Sequence, residues 1–323
     1  MFPEYRAKDV SVLTFNLTWF CPVRCPYCYR AASTDQNSKK VLSKEDLIQE
    51  CRVAAQYGIQ EYRFSGGDPL SIGDTLFEYA DIVYDLTGKK PVVMTSGYSI
   101  NDKWLKKARN KFSAIAVSVE NPLNPLQKVV DNKRILEIIK DNTSDEIPLV
   151  YGLTLVTADY FQDIVEIFEL LYENVDQKFM PQLDYPSLRM FVQPSHSQLK
   201  DIREATKVLF SKYSIIPYYF VYLVGSLVWL EQDSLRININ LEPEGNYQIY
   251  DSLLERWQVE YRWQNYVRQQ QRSSNICRKC EWIDSCKHHP FWELKYEWCG
   301  LRKAIFEGMY EGLGIDSTLN TEE

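Results

Sequence analysis

Apolar, β-branched runs alternate with amphipathic segments along most of this chain. Alternation at the spacing of βα units predicts an α/β fold with a parallel sheet and right-handed crossovers. The predicted strands are Val10–Phe15, Tyr62–Phe64, Val92–Thr95, Ala114–Val119, Leu149–Val156 and Leu188–Val192. The predicted helices lie between Ser43 and Gly58 and over Thr75–Leu86, Asn101–Lys111, Leu126–Lys140, Phe161–Tyr172 and His196–Lys212.

The first of these helices carries start and stop signals. Ser43 is a predicted N-cap, with Asp46 three residues later, and Gly58 is the predicted C-terminal stop. Leu47, Cys51 and Ala55 are expected to form its apolar face. We therefore interpret Cys51 as a small buried side chain.

Three cysteines follow the first strand with the spacing CxxxCxxC: Cys21, Cys25 and Cys28. Three thiolates are one ligand short of a closed tetrahedral zinc site or a fully ligated iron–sulfur cube. In a cube, one iron would stay open to another ligand. A zinc site completed by a distant fourth residue is the alternative reading of the same spacing.

A second motif follows the predicted strand Tyr62–Phe64: Gly66-Gly67-Asp68-Pro69. Glycines allow a ligand close approach to the backbone, and a carboxylate can accept charge-assisted hydrogen bonds from an ammonium group. Taken alone, this segment is an ordinary turn. In parallel sheets, ligands bind at the carboxyl ends of strands, and both motifs are predicted to lie there.

The two motifs together resemble the radical S-adenosylmethionine (SAM) enzymes, with Asp68 in place of the usual Glu of a GGEP motif. The resemblance implies a partial (β/α)6 TIM barrel, a [4Fe–4S] cluster on the three cysteines, and SAM chelated to the open iron. It also implies SAM contacts by Gly66, Gly67, Asp68 and Pro69. Further SAM contacts are expected at Tyr27 in the cysteine loop and, near strand ends, at Ser96, Ser118, Glu120, Val156 and Gln193.

Four more cysteines near the C-terminus read C-x2-C-x5-C-x12-C: Cys277, Cys280, Cys286 and Cys299. They could complete either a zinc site or a closed cluster, and His288 or His289 could replace one of them. The pattern resembles the auxiliary [4Fe–4S] cluster of SPASM domains, with a predicted hairpin whose first arm contains Ile237, Ile239 and Leu241. Tyr250 stands where the family's G-x4-C cysteine would be, so we expect a reduced SPASM with one auxiliary cluster.

Bulk properties narrow the remaining choices. The 323 residues suit two domains, predicted as 1–212 for the barrel core and 213–323 for the hairpin and cluster. A net charge of −7 argues against nucleic acid as the principal partner. The apolar stretch at 215–230 is too short for a membrane span, and the N-terminus lacks a signal peptide, so a cytoplasmic location is expected.

The family resemblance implies that a 5′-deoxyadenosyl radical abstracts hydrogen from an unreactive carbon. SPASM-type enzymes often modify ribosomally made peptides by crosslinking, epimerisation or excision of a tyrosine-derived fragment, and a precursor peptide is the expected partner. About ten residues precede the first strand, so we expect a separate leader-peptide recognition protein. A flavodoxin or ferredoxin is the expected reductant. The alternatives are a radical SAM enzyme for a small molecule or protein, and a non-catalytic zinc or iron–sulfur interaction protein.

Overall fold

The computed structural model describes residues 10–23, 25, 28, 40–118, 149–153, 195–212, 236–247, 274–275, 277–280 and 299–314, with isolated positions over 134–141 and 252–269. Its centre is a sheet of six parallel strands in the order β5-β4-β3-β2-β1-β6. The strands are β1 (Val10–Thr18), β2 (Glu61–Gly66), β3 (Val92–Thr95), β4 (Ala114–Ser118), β5 (Leu149–Leu153) and β6 (Arg236–Leu241). The predicted α/β class with a parallel sheet is confirmed.

Five helices accompany these strands in the described part of the chain: α1 (Lys44–Tyr57), α2 (Thr75–Thr87), α3 (Asp102–Ala108), α4 (His196–Lys212) and α5 (Cys299–Leu313). None of the helices among the described residues is both long enough and apolar enough to cross a membrane. The predicted helices over 126–140 and 161–172, and the predicted strand over 188–192, lie largely or wholly outside the described residues.

Helix α1 has the predicted termini. The Ser43 hydroxyl accepts a hydrogen bond from the Asp46 amide at 3.0 Å, and Gly58 ends the helix with φ 74°. The buried face consists of Leu47, Cys51 and Ala54, whereas Ala55 is exposed. The prediction for Ala55 was wrong because a helix turns about 100° per residue, which aligns positions i, i+4 and i+7 better than i, i+4 and i+8.

The strand β6 is an edge strand of the main sheet. The sequence predicted this segment as the first arm of a hairpin, and the structure instead pairs it in parallel with β1, Phe15 opposite Leu241. The predicted turn after it does form: the Gly245 amide donates to the Glu242 carbonyl at 2.9 Å, and the Glu242 amide donates to the Asn246 carbonyl at 2.9 Å. Residues 248–250, in the predicted return arm, lie outside the described residues.

The chain divides into two compact units. The first comprises Met1–Leu153, Tyr172–Phe179 and Ser234–Glu260, and it holds the six strands with α1, α2 and α3. The second comprises Thr154–Leu171, Met180–Asp233 and Tyr261–Glu323, and it holds α4 and α5. The sequence-based division at residue 212 concerns folding domains and stays a prediction.

In the second unit, α5 packs closely on α4. A Cβ added to Gly308 would overlap the Arg203 carbonyl oxygen, and one added to Gly312 would overlap the Lys207 carbonyl oxygen. Arg203 also forms an ion pair with Glu307 at 2.9 Å and a second one with Glu311. Small residues let the two backbones approach, so α5, which begins at Cys299, is firmly attached to α4.

Candidate functional site

The loop that carries the first three cysteines is closed at its base. Thr18, the last residue of β1, forms an antiparallel bridge with Val41, and the Leu42 amide donates to the Leu17 carbonyl at 2.9 Å. The Tyr79 hydroxyl of α2 donates to the Leu42 carbonyl at 2.5 Å. The segment between these anchor points, which contains the cysteines, therefore begins and ends at the carboxyl end of β1.

None of the three cysteines of this loop forms a disulfide with a described residue. Cys21 is buried, and Cys25 and Cys28 lie in a tight turn in which the Cys28 amide donates to the Cys25 carbonyl at 3.1 Å. The pKa of the Cys21 thiol is raised to about 11: burial is the main cause, a backbone hydrogen bond from Val23 opposes it, and the nearby Asp68 and Cys28 add to it. A thiol with such a pKa becomes a thiolate only when a metal binds it.

Three cysteine thiols are the donor set of a [4Fe–4S] cluster with one open iron. Within the described ranges, no three His, Cys, Asp or Glu side chains converge as ligands of one metal ion. A [4Fe–4S] cluster takes each cysteine on a different iron, so its ligands surround a larger volume. Three cysteines on one loop at the carboxyl end of β1 are the donor set that the cluster predicted from the sequence requires.

The double glycine after β2 lets two backbone segments meet. The Gly67 amide donates to the Thr18 carbonyl at 2.6 Å, and the Asp68 amide donates to the Phe20 carbonyl at 2.9 Å. A Cβ on Gly66 would overlap the Thr18 carbonyl oxygen, and one on Gly67 would overlap the Phe20 carbonyl oxygen. The two glycines are therefore needed so that the backbone after β2 can lie against Thr18 and Phe20, directly before Cys21. The SAM contacts predicted for the two glycines stay predictions.

The Asp68 carboxylate is fully buried and accepts hydrogen bonds from three neighbouring residues, Leu70, Thr95 and Ser96. Oδ1 accepts from the Leu70 amide at 3.0 Å and from the Thr95 hydroxyl at 2.8 Å, and Oδ2 accepts from the Ser96 hydroxyl. Burial raises the pKa of this carboxyl, and the hydrogen bonds from Ser96, Thr95 and Leu70 oppose the shift. Asp68 therefore ties the end of β2 to the end of β3.

Of the other predicted SAM contacts, Ser96 lies next to Asp68, and Pro69 is buried at the start of a short 3-10 helix, Pro69–Ile72. Ser118 is half-buried at the last position of β4. The remaining predicted residues, Tyr27, Glu120, Val156 and Gln193, lie outside the described residues. Thr95 was missed, although its place beside Ser96 at a strand end was a usable signal.

The second cysteine group is described in part. Cys277 begins a 3-10 helix, Cys277–Lys279, and the Cys280 amide donates to the Cys277 carbonyl at 2.9 Å. This tight turn resembles the one between Cys25 and Cys28, and neither Cys277 nor Cys280 forms a disulfide with a described residue. Cys299 is the first residue of α5, and Cys286 lies outside the described residues. The structure therefore presents two of the four proposed ligands on one turn.

Polar residues in and beside the turn after β6 form contacts with β1 and α1 that the sequence did not predict. The Asn16 amide group donates to Glu242 Oε2 at 3.2 Å, and both side chains are buried. The Trp19 indole donates to Glu244 at 3.3 Å, and the Tyr247 hydroxyl donates to Glu50 of α1. The alternation of apolar residues predicted the strand β6, but it could not predict that Glu242, directly after the strand, contacts Asn16 of β1.

Gly67→Ala tests the close approach before Cys21. We expect a loss of about 1–3 kcal/mol or more in the free energy of unfolding, because the Phe20 carbonyl must move away from the new Cβ. We also expect reduced iron content, since Phe20 directly precedes Cys21. Denaturant unfolding and iron analysis measure both effects.

Gly73→Ala is the matched control for this prediction. Gly73 has φ 65° and ψ −136° but open space around its Cβ position, so backbone strain of about 1–3 kcal/mol is expected, without loss of iron. Equal iron retention in the two variants would contradict the role assigned to the contact between Gly67 and Phe20.

The profile of the Radical SAM superfamily matches residues 15–171. Among curated proteins, the probable GTP 3′,8-cyclase of Methanothermobacter thermautotrophicus is 25% identical over 177 residues, which cover 53% of this chain and 57% of that protein. The GTP 3′,8-cyclase of Alkaliphilus oremlandii is 23% identical over 141 residues, 42% of this chain and 44% of that protein. The chain thus matches about half the length of these relatives.

Among solved structures, histidine-tagged anSMEcpe with bound AdoMet superposes with a TM-score of 0.71 at 16% identity, over 96% of this chain and 99% of that one. Streptococcus suis SuiB bound to the precursor peptide SuiA has a TM-score of 0.60 at 13% identity, over 87% and 71% of the two chains. These likenesses show a shared fold. Residues 15–171, which hold the strand-end site with its three cysteines, thus match the radical SAM superfamily.

Proposed function

We propose that this radical SAM enzyme modifies a ribosomally synthesised peptide, by crosslinking, epimerisation or excision of a tyrosine-derived fragment. The proposal rests mainly on how much of the chain matches a solved structure that contains a bound peptide. The match to anSMEcpe with bound AdoMet and the Cp18Cys peptide extends over 94% of this chain and 98% of that one, with a TM-score of 0.65. The SuiB structure with its precursor peptide is a second peptide-bound neighbour.

The cofactors of the superfamily, a [4Fe–4S] cluster and SAM, assign roles to this chain's residues. Cys21, Cys25 and Cys28 would hold the cluster, and their loop is anchored at the carboxyl end of β1. When bound, the cluster and SAM together would supply a 5′-deoxyadenosyl radical able to take a hydrogen atom from an unreactive carbon. Asp68 would orient the SAM site, directly or through Ser96, to which it is hydrogen bonded.

The C-terminal cysteines support a SPASM-type reading with one auxiliary [4Fe–4S] cluster. Cys277 and Cys280 lie on one turn, as two ligands of a common site should. We propose that Cys286 and Cys299 complete the set. Four cysteine ligands leave no open iron, which favours electron transfer over substrate chelation. A precursor peptide, a separate leader-peptide recognition protein and a flavodoxin or ferredoxin are the proposed partners.

A GTP 3′,8-cyclase is the second candidate, favoured by the names of the curated relatives. These matches cover about half of the chain, a share comparable to that of the superfamily profile, which includes the motifs that generate the radical. A triphosphate requires a cluster of Arg or Lys side chains or a metal ion around it. At the strand ends described here, Asp68 and Glu242 are the buried charged residues, and both are acidic.

Parallel assays of the reconstituted enzyme separate the two candidates. Reduced enzyme with SAM is incubated either with GTP or with short peptides encoded beside its gene, and products are analysed by mass spectrometry. We expect 5′-deoxyadenosine in both incubations. A modified product is expected from a peptide and not from GTP. Epimerisation is detected by deuterium uptake from deuterated water. Conversion of GTP to a cyclised product, with every peptide unchanged, would overturn the peptide proposal.

A further inference from the structure

The acceptor positions of the Asp68 carboxylate are occupied by the protein itself. Oδ1 accepts from the Leu70 amide at 3.0 Å and from the Thr95 hydroxyl at 2.8 Å. Oδ2 accepts from the Ser96 hydroxyl, and the Ser96 backbone amide donates a further hydrogen bond to the carboxylate. An ionised carboxylate offers about four acceptor positions on its two oxygens. Four donors therefore use the whole acceptor capacity of this side chain.

Burial also keeps Asp68 from a direct contact with a ligand. The residue is 0% exposed, and the charge of its buried carboxylate is compensated by these hydrogen bonds. An amino group of a ligand would have to displace one of the four donors in order to reach Oδ1 or Oδ2. The displaced donor would then be left buried without a partner, which is unfavourable.

The backbone of Asp68 is fixed as well, so its side chain is not placed to swing towards a ligand. The Asp68 amide donates to the Phe20 carbonyl at 2.9 Å, directly before the first cysteine of the loop. The Asp68 carbonyl accepts from the Ser71 amide at 3.0 Å and from the Ser71 hydroxyl at 2.6 Å. The carboxylate is thus held between the start of the cysteine loop and the end of β3.

Ser96 is the member of this network that is open to the candidate site. Thr95 and Leu70 are buried, at 4% and 6% exposure, whereas Ser96 is half-buried. Ser96 directly follows β3, and its strand runs parallel to β2 and β1. Its hydroxyl therefore lies at the same edge of the sheet as the cysteine loop and the double glycine. A ligand at this edge can reach the Ser96 hydroxyl without disturbing the buried carboxylate.

The Ser96 hydroxyl has acceptor capacity left after it donates to Asp68. A hydroxyl has one donor hydrogen and two acceptor positions. The hydrogen is directed to Asp68 Oδ2, and the Tyr98 amide approaches Oγ at a long distance of 3.4 Å. A hydroxyl that donates to a carboxylate is polarised and becomes a stronger acceptor. The matching group is an N–H donor with positive character, such as the amino group of SAM.

We propose that the Ser96 hydroxyl accepts a hydrogen bond from the amino group of SAM, and that Asp68 is a positioning residue that acts through Ser96 without contacting SAM. This inference rests on the proposed function, in which the chain binds SAM. It changes the role predicted for Asp68 from the sequence. Because Asp is one methylene shorter than the Glu of a GGEP motif, a neighbouring hydroxyl would extend its reach.

SAM binding to Ser96 variants tests the first half of this proposal. Dissociation constants are measured by equilibrium dialysis on enzyme that holds its cluster, without a reductant, so that SAM stays intact. Ser96→Ala should weaken SAM binding about tenfold, the effect of a hydrogen bond to a polarised acceptor. Ser96→Thr keeps the hydroxyl and should restore an affinity close to that of the wild type. The SAM analogue with hydrogen in place of the amino group should bind Ser96→Ala and the wild type equally well.

A double-mutant cycle tests the role of Asp68. Asp68→Asn alone should weaken SAM binding about tenfold, because the polarising charge is lost. In the Ser96→Ala background the same change should have an effect of less than about twofold, since a residue that acts through Ser96 has nothing left to act on. Asp74→Asn removes an exposed carboxylate that pairs with Lys107, and it should leave SAM affinity unchanged.

Asp68→Glu is a second variant in case Asp68→Asn fails to fold. The longer acid cannot keep all four donors in a closed site, so we expect weaker SAM binding and a lower denaturation midpoint. SAM binding by Asp68→Glu that equals or exceeds that of the wild type would overturn the proposal. So would additive effects in the cycle, or wild-type affinity of a folded Ser96→Ala variant. Absence of SAM binding by the wild type would overturn the proposed function too, whereas an unmodified peptide with normal SAM binding would count against the peptide proposal alone.

Discussion

We expect Cys28→Ala to abolish formation of 5′-deoxyadenosine from SAM under anaerobic conditions with dithionite. Cys28 shares a tight turn with Cys25 on the loop that also carries Cys21, and the three cysteines are the proposed ligand set of the cluster. Two remaining thiolates cannot hold a cube that also keeps an open iron. The measurement is chromatographic detection of 5′-deoxyadenosine after reconstitution, together with iron and sulfide content.

Cys51→Ala is the matched control for this experiment. Cys51 is also a free and fully buried thiol, but it lies on the apolar face of α1. Its replacement should lower the free energy of unfolding by about 1 kcal/mol through lost packing and leave SAM cleavage intact. Sustained cleavage by Cys28→Ala, at a rate comparable to that of the control, would remove the basis for the cluster assignment.

The second large effect is expected from the double replacement Cys277→Ala and Cys280→Ala. It should remove about half of the iron, because these residues are proposed to supply two of the four ligands of the auxiliary cluster alone. Cleavage of SAM without substrate should persist, since the Cys21 loop is anchored by contacts with Val41, Leu42 and Gly67. Modification of the peptide substrate should be lost, because the proposed auxiliary cluster would no longer be present to accept an electron from the substrate radical.

Unfolding is the main confounder here, because a four-thiolate site also holds chain segments together. Circular dichroism of each preparation therefore accompanies the assays. Arg278→Ala with Lys279→Ala changes the two residues between the cysteines and should keep full iron content and full peptide modification. A folded double-cysteine variant that modifies peptide at the wild-type rate would show that this site is only structural.

Much of the fold was predictable because it depends on local pattern. Strands β2, β3 and β4 were found within a few residues of their bounds, since short apolar runs between glycine-rich turns have few other interpretations. Ser43 and Gly58 correctly marked the ends of α1 because capping is decided by neighbouring residues. The alternation of Ile237, Ile239 and Leu241 correctly predicted a strand, but not its partner.

The chemistry of the candidate site was predictable to the extent that it follows from residue type and spacing. Three thiols at CxxxCxxC and a Gly-Gly-Asp turn one βα unit later are enough to indicate a radical SAM site. Tertiary structure decided which groups meet: Gly67 on Phe20, Asp68 on Thr95 and Ser96, and Glu242 on Asn16. Local sequence determines periodicity, caps and ligand spacing, whereas contacts across 27 or 226 residues depend on how strands are ordered in the sheet, for which no local pattern carries the information.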